Sequence, residues 1–229
     1  MNTGATPATV ELPADSRHLE IGGTNRISGL FSNATSAISS VGSISSIISA
    51  AMKKSGVLQV TGTSTVNVTT GASAQDGGVI EVQDGGTLNC PSGSVTIGVN
   101  SRLRAASLIA AQSVRAENGG TIAPGASPGE MTVQGDMEML AGSTLEIEIG
   151  GTQAGATYDL LTVQNAGFVS LNGNVDPQIT GGFVPQNADT FTVLTSNVAL
   201  TGTIQNLNGG RARQFCRQRH PQRTRSSAQ

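Results

Sequence analysis

GGTIAPGASPGEMTVQGD, residues 119–136, sets two proline–glycine punctuations between two short β-branched runs. Gly119 and Gly120 open the stretch, Pro124-Gly125 and Pro128-Gly129 punctuate it, and Gly135-Asp136 close it. Proline fixes φ and glycine supplies positive φ, so APGASPG reads as a wide turn defined by its backbone. Glu130 is the only charged side chain between Gly119 and Gly135, which points to a structural loop rather than a catalytic one.

The chain keeps the same rhythm on both sides of this turn. VLQV (57–60), TVNV (65–68), VIEV (79–82), TLNC (87–90) and VTIG (95–98) precede it, with LIAAQSV (108–114). MTV (131–133), TLEIEI (144–149), DLLTV (159–163) and FTVLT (191–195) follow. Each run alternates apolar and polar positions and so has one face to bury. GGTL (85–88), GGTI (119–122) and GSTL (142–145) read as a degenerate repeat at separations of 34 and 23 residues. Thirty glycines, no tryptophan and only six aromatics do not suit a broad globular interior, which uses aromatics to fill volume. A narrow stack of Val, Ile, Leu and Ala needs no such filling. The expectation is an all-β fold, a right-handed parallel β-helix with rungs over 56–165; an antiparallel sandwich is the alternative.

APGASPG, followed by TVQGD (132–136), STLEIEI (143–149) and YDLLTV (158–163), resembles the passenger-associated transport repeat of bacterial autotransporters and related secreted β-helix proteins. The likeness covers about residues 118–208 and includes GGFVPQNADTFTVLT (181–195). It implies structural motif positions at Gly119, Gly120, Pro124, Gly125, Pro128, Gly129, Gly135, Asp136, Tyr158, Asp159, Phe183, Pro185, Asp189 and Phe191. It also implies an exported, elongated, structural or adhesive protein, extracellular or at the bacterial surface, with a host-surface or polysaccharide ligand and no nucleic-acid partner. Contact with the outer membrane would come only through an anchor or barrel outside this chain. MNTGATPATVELPADS at the start has neither a basic n-region nor an apolar h-region, so an export signal is expected upstream; a cytosolic protein would lack one equally.

Three segments differ from the rung pattern. Within 1–55, Ile38, Val41, Ile44, Ile47, Ile48 and Ala51 recur at spacings of three and four, which predicts a helix over about 34–54. Asn33 would cap it, Lys53 and Lys54 suit its C-terminal dipole and Gly56 would end it; serine-rich strand is the rival. Residues 166–210 are expected to form a C-terminal β cap. There Phe168, Phe183 and Phe191, with Tyr158, would cover the last rung and shield its unpaired backbone groups. Residues 211–229 carry six arginines and no acid, whereas the chain before Gly210 holds seven basic against 15 acidic residues, leaving −8. This basic tail is expected to be disordered and solvated, of frameshifted or truncated origin; a functional basic tail is the minority reading.

Candidate chemistry is sparse. Glu146 and Glu148 share a strand face, and polysaccharide lyases and glycosidases also use β-helices, so a fragment of a carbohydrate-active enzyme is the second reading. Against it, the neighbourhood in sequence offers no aromatic platform and no arginine, and His18 and His220 lie at opposite ends. Asp76, Asp84 and Asp136 lack calcium-repeat spacing, and DGG at 76–78 and 84–86 reads as turn chemistry. Cys90 and Cys216 have no CxxC spacing, so neither a metal nor a catalytic thiol is expected, nor any cofactor. Thr61, Thr63, Thr65, Thr69 and Thr70 invite a third reading, an ice-binding threonine ladder, which is not maintained in later rungs.

Overall fold

The computed structural model describes residues 58–60, 65–68, 71–83 and 85–206 in full. It describes the backbone alone at Val57, in six short strands between His18 and Lys54, and at Cys216–Gln218. The early strands are β1 (His18–Ile21), β2 (Asn25–Ile27), β3 (Phe31–Asn33), β4 (Ala37–Ser40), β5 (Ser45–Ile48) and β6 (Met52–Lys54). The central ones are β7 (Val57–Val60), β8 (Thr65–Val68), β9 (Gly71–Ala74), β10 (Val79–Val82), β11 (Thr87–Ile97), β12 (Arg102–Ala105), β13 (Leu108–Ala116) and β14 (Thr121–Pro124). Then come β15 (Glu130–Met139), β16 (Thr144–Ile149), β17 (Leu160–Gln164), β18 (Val169–Leu171), β19 (Asn174–Ile179), β20 (Leu194–Ser196), β21 (Leu200–Thr201) and β22 (Cys216–Gln218).

The described chain is all-β, and every ladder between these strands is parallel, which removes the antiparallel sandwich. One sheet runs β1-β4-β7-β10-β12-β14-β16-β19; the other has β2-β5-β8-β11-β13-β15-β17-β20-β22 as its main path. Consecutive strands of the first sheet are two or three apart in sequence, so the chain visits the second sheet before it returns. Val57, Val79, Arg102, Thr121 and Thr144 occupy one register line.

This line corrects the repeat expected from GGT motifs. Thr121 and Thr144 do pair, but Thr87 of GGTL lies in the other sheet, paired with Leu108. The glycine dipeptides mark turns into either sheet and carry no information on which sheet follows. The helix expected over 34–54 is not formed: β4, β5 and β6 occupy that segment and pair with β7, β8 and β9. Spacings of three and four can arise from short strands joined by turns as well as from a helical stripe. Isoleucine and valine fit a pleated strand, and serine is a poor helix interior residue. Among the described residues there is no helix.

The register places like on like in the interior. Leu58, Ile80, Leu103, Ile122, Leu145 and Val175 superpose along the first sheet, all at most 6% exposed. Val66, Leu88, Ile109, Val133 and Val163 superpose along the second, and both lines belong to one core. Outward positions form lines too: Thr65, Thr87, Leu108, Thr132, Thr162 and Thr195. The threonine line thus does continue into later strands, through residues other than those expected, with Leu108 as its one break between Thr65 and Thr195. Thr61, Thr63, Thr69 and Thr70 lie outside the described residues.

Strand ladders continue past residue 165, since β18 pairs β15, β19 pairs β16 and β20 pairs β17. Tyr158 and Phe191 are buried and meet edge to face at 5.2 Å, and half-buried Phe183 meets Phe191 edge to face at 6.2 Å. The Tyr158 hydroxyl accepts a hydrogen bond from the Thr192 N–H at 3.2 Å. Phe168 does not join this cluster as expected: it is 44% exposed, because Val169 beside it takes the inward position of β18. Of the tail 211–229, Cys216–Gln218 pairs with Leu194–Ser196, and the rest lies outside the described residues.

Truncating Phe191 to Ala should cost about 3–5 kcal/mol through lost burial and a residual cavity. Because β17 pairs β20 beside Phe191, that loss should open the neighbouring C-terminal strands first. Hydrogen exchange on the variant should show protection lost around β17 and β20 and retained in β10–β14. Uniform loss across the chain would mean a single cooperative unit.

Candidate functional site

Two features outside the regular ladders concentrate polar groups. The first is the APGASPG turn. β14 ends at Pro124, which continues the interior line of Val60, Val82 and Ala105 and is itself buried. The chain then reverses over the Asp159 side chain. Asp159 is 1% exposed; its Oδ1 accepts the Gly129 N–H and its Oδ2 the Glu148 N–H, both at 2.8 Å. One carboxylate thus joins the second Pro-Gly of the turn, β16 and the start of β17. Gly125 has φ +91°, and a Cβ there would stand 2.3 Å from Asp159 Oδ1 and 2.5 Å from the Gly129 nitrogen. Glycine at this position is therefore required twice, by conformation and by space.

Burial pushes the Asp159 carboxyl up to about 6; the two backbone hydrogen bonds pull against this, and the nearby Glu148 and Glu146 add to it. The folded value lies above the ordinary value of 3.8, so the native state takes up this proton before the unfolded chain does. Asp159 should therefore make the fold more stable as pH falls from about 6 to about 4, by on the order of 2–3 kcal/mol. Asp159→Asn should abolish that slope while leaving the Glu148 N–H facing a second donor, at a cost of about 1–3 kcal/mol. Denaturant titrations of both proteins at several pH values between 4 and 7 check this. Parallel curves for the two proteins would sink it.

The carboxylates singled out by sequence are brought near arginine, contrary to expectation. Arg102 makes a bidentate ion pair with Glu146, its Nη1 lying 3.0 Å from Oε2. Arg104 Nη2 donates to Ser127 Oγ at 3.0 Å, and that hydroxyl lies 3.5 Å from Glu148 Oε1. These arginines sit two strands away on the first sheet, more than 40 positions earlier, so local sequence hides them. Glu146 is thereby held as a partner of Arg102, and Ser127 links the turn to both strands.

The second feature is a groove of about 520 Å³ on the outer face of the second sheet. It follows the line where β11 and β13 lose register, between Cys90 and Ser94 and between Ala110 and Ser113. Gly135 in β15 and the β17–β18 connection extend it. A Cβ on Gly135, whose φ is +130°, would stand 1.9 Å from the Ala111 carbonyl oxygen. Asn89, Gln112, Gln134, Asp136 and Asn165 line its walls. Asp136 Oδ1 accepts the Gly167 N–H at 2.6 Å and the Phe168 N–H at 3.1 Å, which anchors the β17–β18 connection to β15.

Of the remaining motif positions, Gly119 and Gly120 make the turn into β14, with a Gly120 N–H to Glu117 carbonyl bond of 2.9 Å. Pro128 is half-buried, and Pro185 is exposed. Asp189 Oδ2 accepts the Gln186 N–H at 2.8 Å, closing a turn before Phe191. Asp76 lies in a turn with φ +51°, as the DGG reading expects, and Asp84 lies outside the described residues. Cys90 is a free, buried thiol pushed up to about 12 by burial, so it stays protonated and inert near neutral pH. Among the described residues no three His, Cys, Asp or Glu side chains converge as metal ligands. The groove was missed by sequence reading, although TVN (65–67), TLN (87–89), TVQ (132–134) and TVQ (162–164) are a visible signal for its wall.

Comparison with protein-family models, curated proteins and solved structures found no match.

Substitution separates required glycines from tolerated ones. Gly135→Ala should destabilise by at least about 2 kcal/mol, since left-handed strain adds to a clash with a backbone oxygen. Gly77 is also at positive φ, but no atom lies within 4 Å of where its Cβ would stand, so it should lose only about 1 kcal/mol as Ala. Equal losses in thermal unfolding would show that space around Gly135 is not the constraint.

Proposed function

We propose that this chain is a right-handed parallel β-helix serving as a structural and adhesive segment of a secreted or surface-displayed bacterial protein of the autotransporter-passenger type. The observation that carries this reading is the Asp159 junction. The turn, β15, β16 and β17, whose sequences resemble the passenger-associated repeat, are contiguous, and one buried carboxylate ties the turn to β16 and β17. Two parallel sheets visited alternately support the helical course, and crossovers between parallel strands are right-handed in nearly all known folds. The outward polar lines suit display of a long surface. The Tyr158–Phe191–Phe183 cluster and the turn are folding devices, with no role in turnover.

Two measurements test the proposal. Small-angle scattering of the purified chain should give a rod-like pair-distance distribution, and a compact sphere would overturn the helical reading. Fused ahead of an outer-membrane barrel in a Gram-negative host, the chain should reach the surface and be cleaved by added protease. Asp159→Ala, which strands two backbone N–H groups at a cost of about 1–3 kcal/mol each, should reduce that display. Display unaffected by Asp159→Ala, or a wild-type chain retained inside, would count against a passenger role.

A further inference from the structure

We infer that the groove over β11, β13 and β15 is a binding site for a neutral linear polysaccharide laid across the strands. The inference builds on the adhesive reading above and gives it a location and a ligand class. Asn67, Asn89, Ala110, Gln134 and Gln164 form one outward register line, in which Ala110 alone lacks an amide. The missing side chain opens a notch between Asn89 and Gln134, floored by Ala110 and Ala111. Gly135 can carry no Cβ toward Ala111, so the floor stays open there too.

The notch sets the Asn89 and Gln134 amides two strand spacings apart, each spacing being about 4.8 Å. The Asn89 amide donates to Asn67 Oδ1 at 2.7 Å, which fixes its orientation. Gln112, Gln134 and Asn165 have no side-chain hydrogen-bond partner among the described residues. A carboxamide is both donor and acceptor, as is a sugar hydroxyl, so a row of free amides matches a row of hydroxyls. No lysine or arginine lines the groove, and its single carboxylate, Asp136, has Oδ1 engaged by two backbone N–H groups. Polyanions such as uronate chains or nucleic acid therefore find no counter-charge. Half-exposed Phe168 follows Gly167, the last of the lining residues. An extended peptide is disfavoured, because the strands beneath already spend their ladder groups on one another and the groove runs across them, with no free strand edge to extend.

The test is affinity electrophoresis and calorimetry of the full chain with laminarin, xyloglucan and dextran, beside polygalacturonate and an uncharged Ser/Asn-rich peptide. At least one neutral polymer should bind. Ala110→Gln, which completes the amide line and fills the notch, should weaken that binding about tenfold or more. Gln112→Ala removes one exposed amide without touching the core and should weaken it about threefold to tenfold, with far-UV circular dichroism unchanged. No binding to any of the three neutral polymers, undiminished binding by both variants, or binding of polygalacturonate or the peptide in their place would overturn the inference. Binding by a chain that scattering shows to be compact would sink the helical reading and leave the site. A rod-like, surface-displayed chain that binds none of the neutral polymers would sink only the site.

Discussion

Parallel pairing in strict register is the constraint from which the rest of this molecule follows. Each buried residue must lie over a buried residue of the preceding strand, because the period of a strand is two and a slip of one would turn every side chain to the wrong face. Leu58, Ile80, Leu103, Ile122 and Leu145 satisfy that condition with side chains of nearly equal size. Ladders of this kind pair backbone groups between neighbouring strands except where register shifts, between Cys90 and Ser94 and between Ala110 and Ser113. Among the fully described residues, three of the aromatic side chains gather around Phe191.

Where the connections between strands vary in length, register must be restored by something other than the ladder. Asp136 and Asp159 do this with the same device, a carboxylate accepting backbone N–H groups from a neighbouring connection. Asp136 reaches 31 and 32 positions forward to Gly167 and Phe168. Asp159 reaches 30 back to Gly129. Both act beside β15: Asp136 lies within it, and Gly129 immediately precedes it. A backbone N–H bonded to a fixed side chain tolerates little displacement, so each carboxylate sets where its loop sits on the stack.

Much of the strand set was legible because alternation is a local property. VLQV, TVNV, VIEV and TLEIEI coincide with β7, β8, β10 and β16. What local pattern does not contain is the identity of the neighbouring strand. For this reason the GGT motifs suggested one repeat while serving two sheets, and Ile38, Ile47 and Ile48 suggested a helical stripe while occupying two strands. The APGASPG turn was legible as a turn, since proline and glycine act on their own φ. Its lock by Asp159 on Gly129 and the pairing of Arg102 with Glu146 join residues 30 and 44 positions apart, and the groove at Ala110 is likewise assembled from several strands.

The same separation lets the outer surface vary while the interior lines are kept. Inward positions are tied to one another along the whole line, and a change at any of them is felt by two neighbours. Outward positions are tied to their neighbours by side-chain contacts such as Asn67–Asn89 and Arg102–Glu146 rather than by close packing. Ala110 could replace an amide in the line of Asn89 and Gln134 with no consequence for the core, because Ile109 beside it keeps the inward place between Leu88 and Val133. A notch can thus be cut into the surface at a chosen rung while the ladder beneath it stays intact. Asp159 marks the opposite limit. Its carboxylate is desolvated and its proton affinity raised, so its charge at neutral pH costs the fold stability. That cost falls at the one point where a seven-residue turn, β16 and β17 have to meet, and removing the side chain would leave the Gly129 and Glu148 N–H groups without an acceptor.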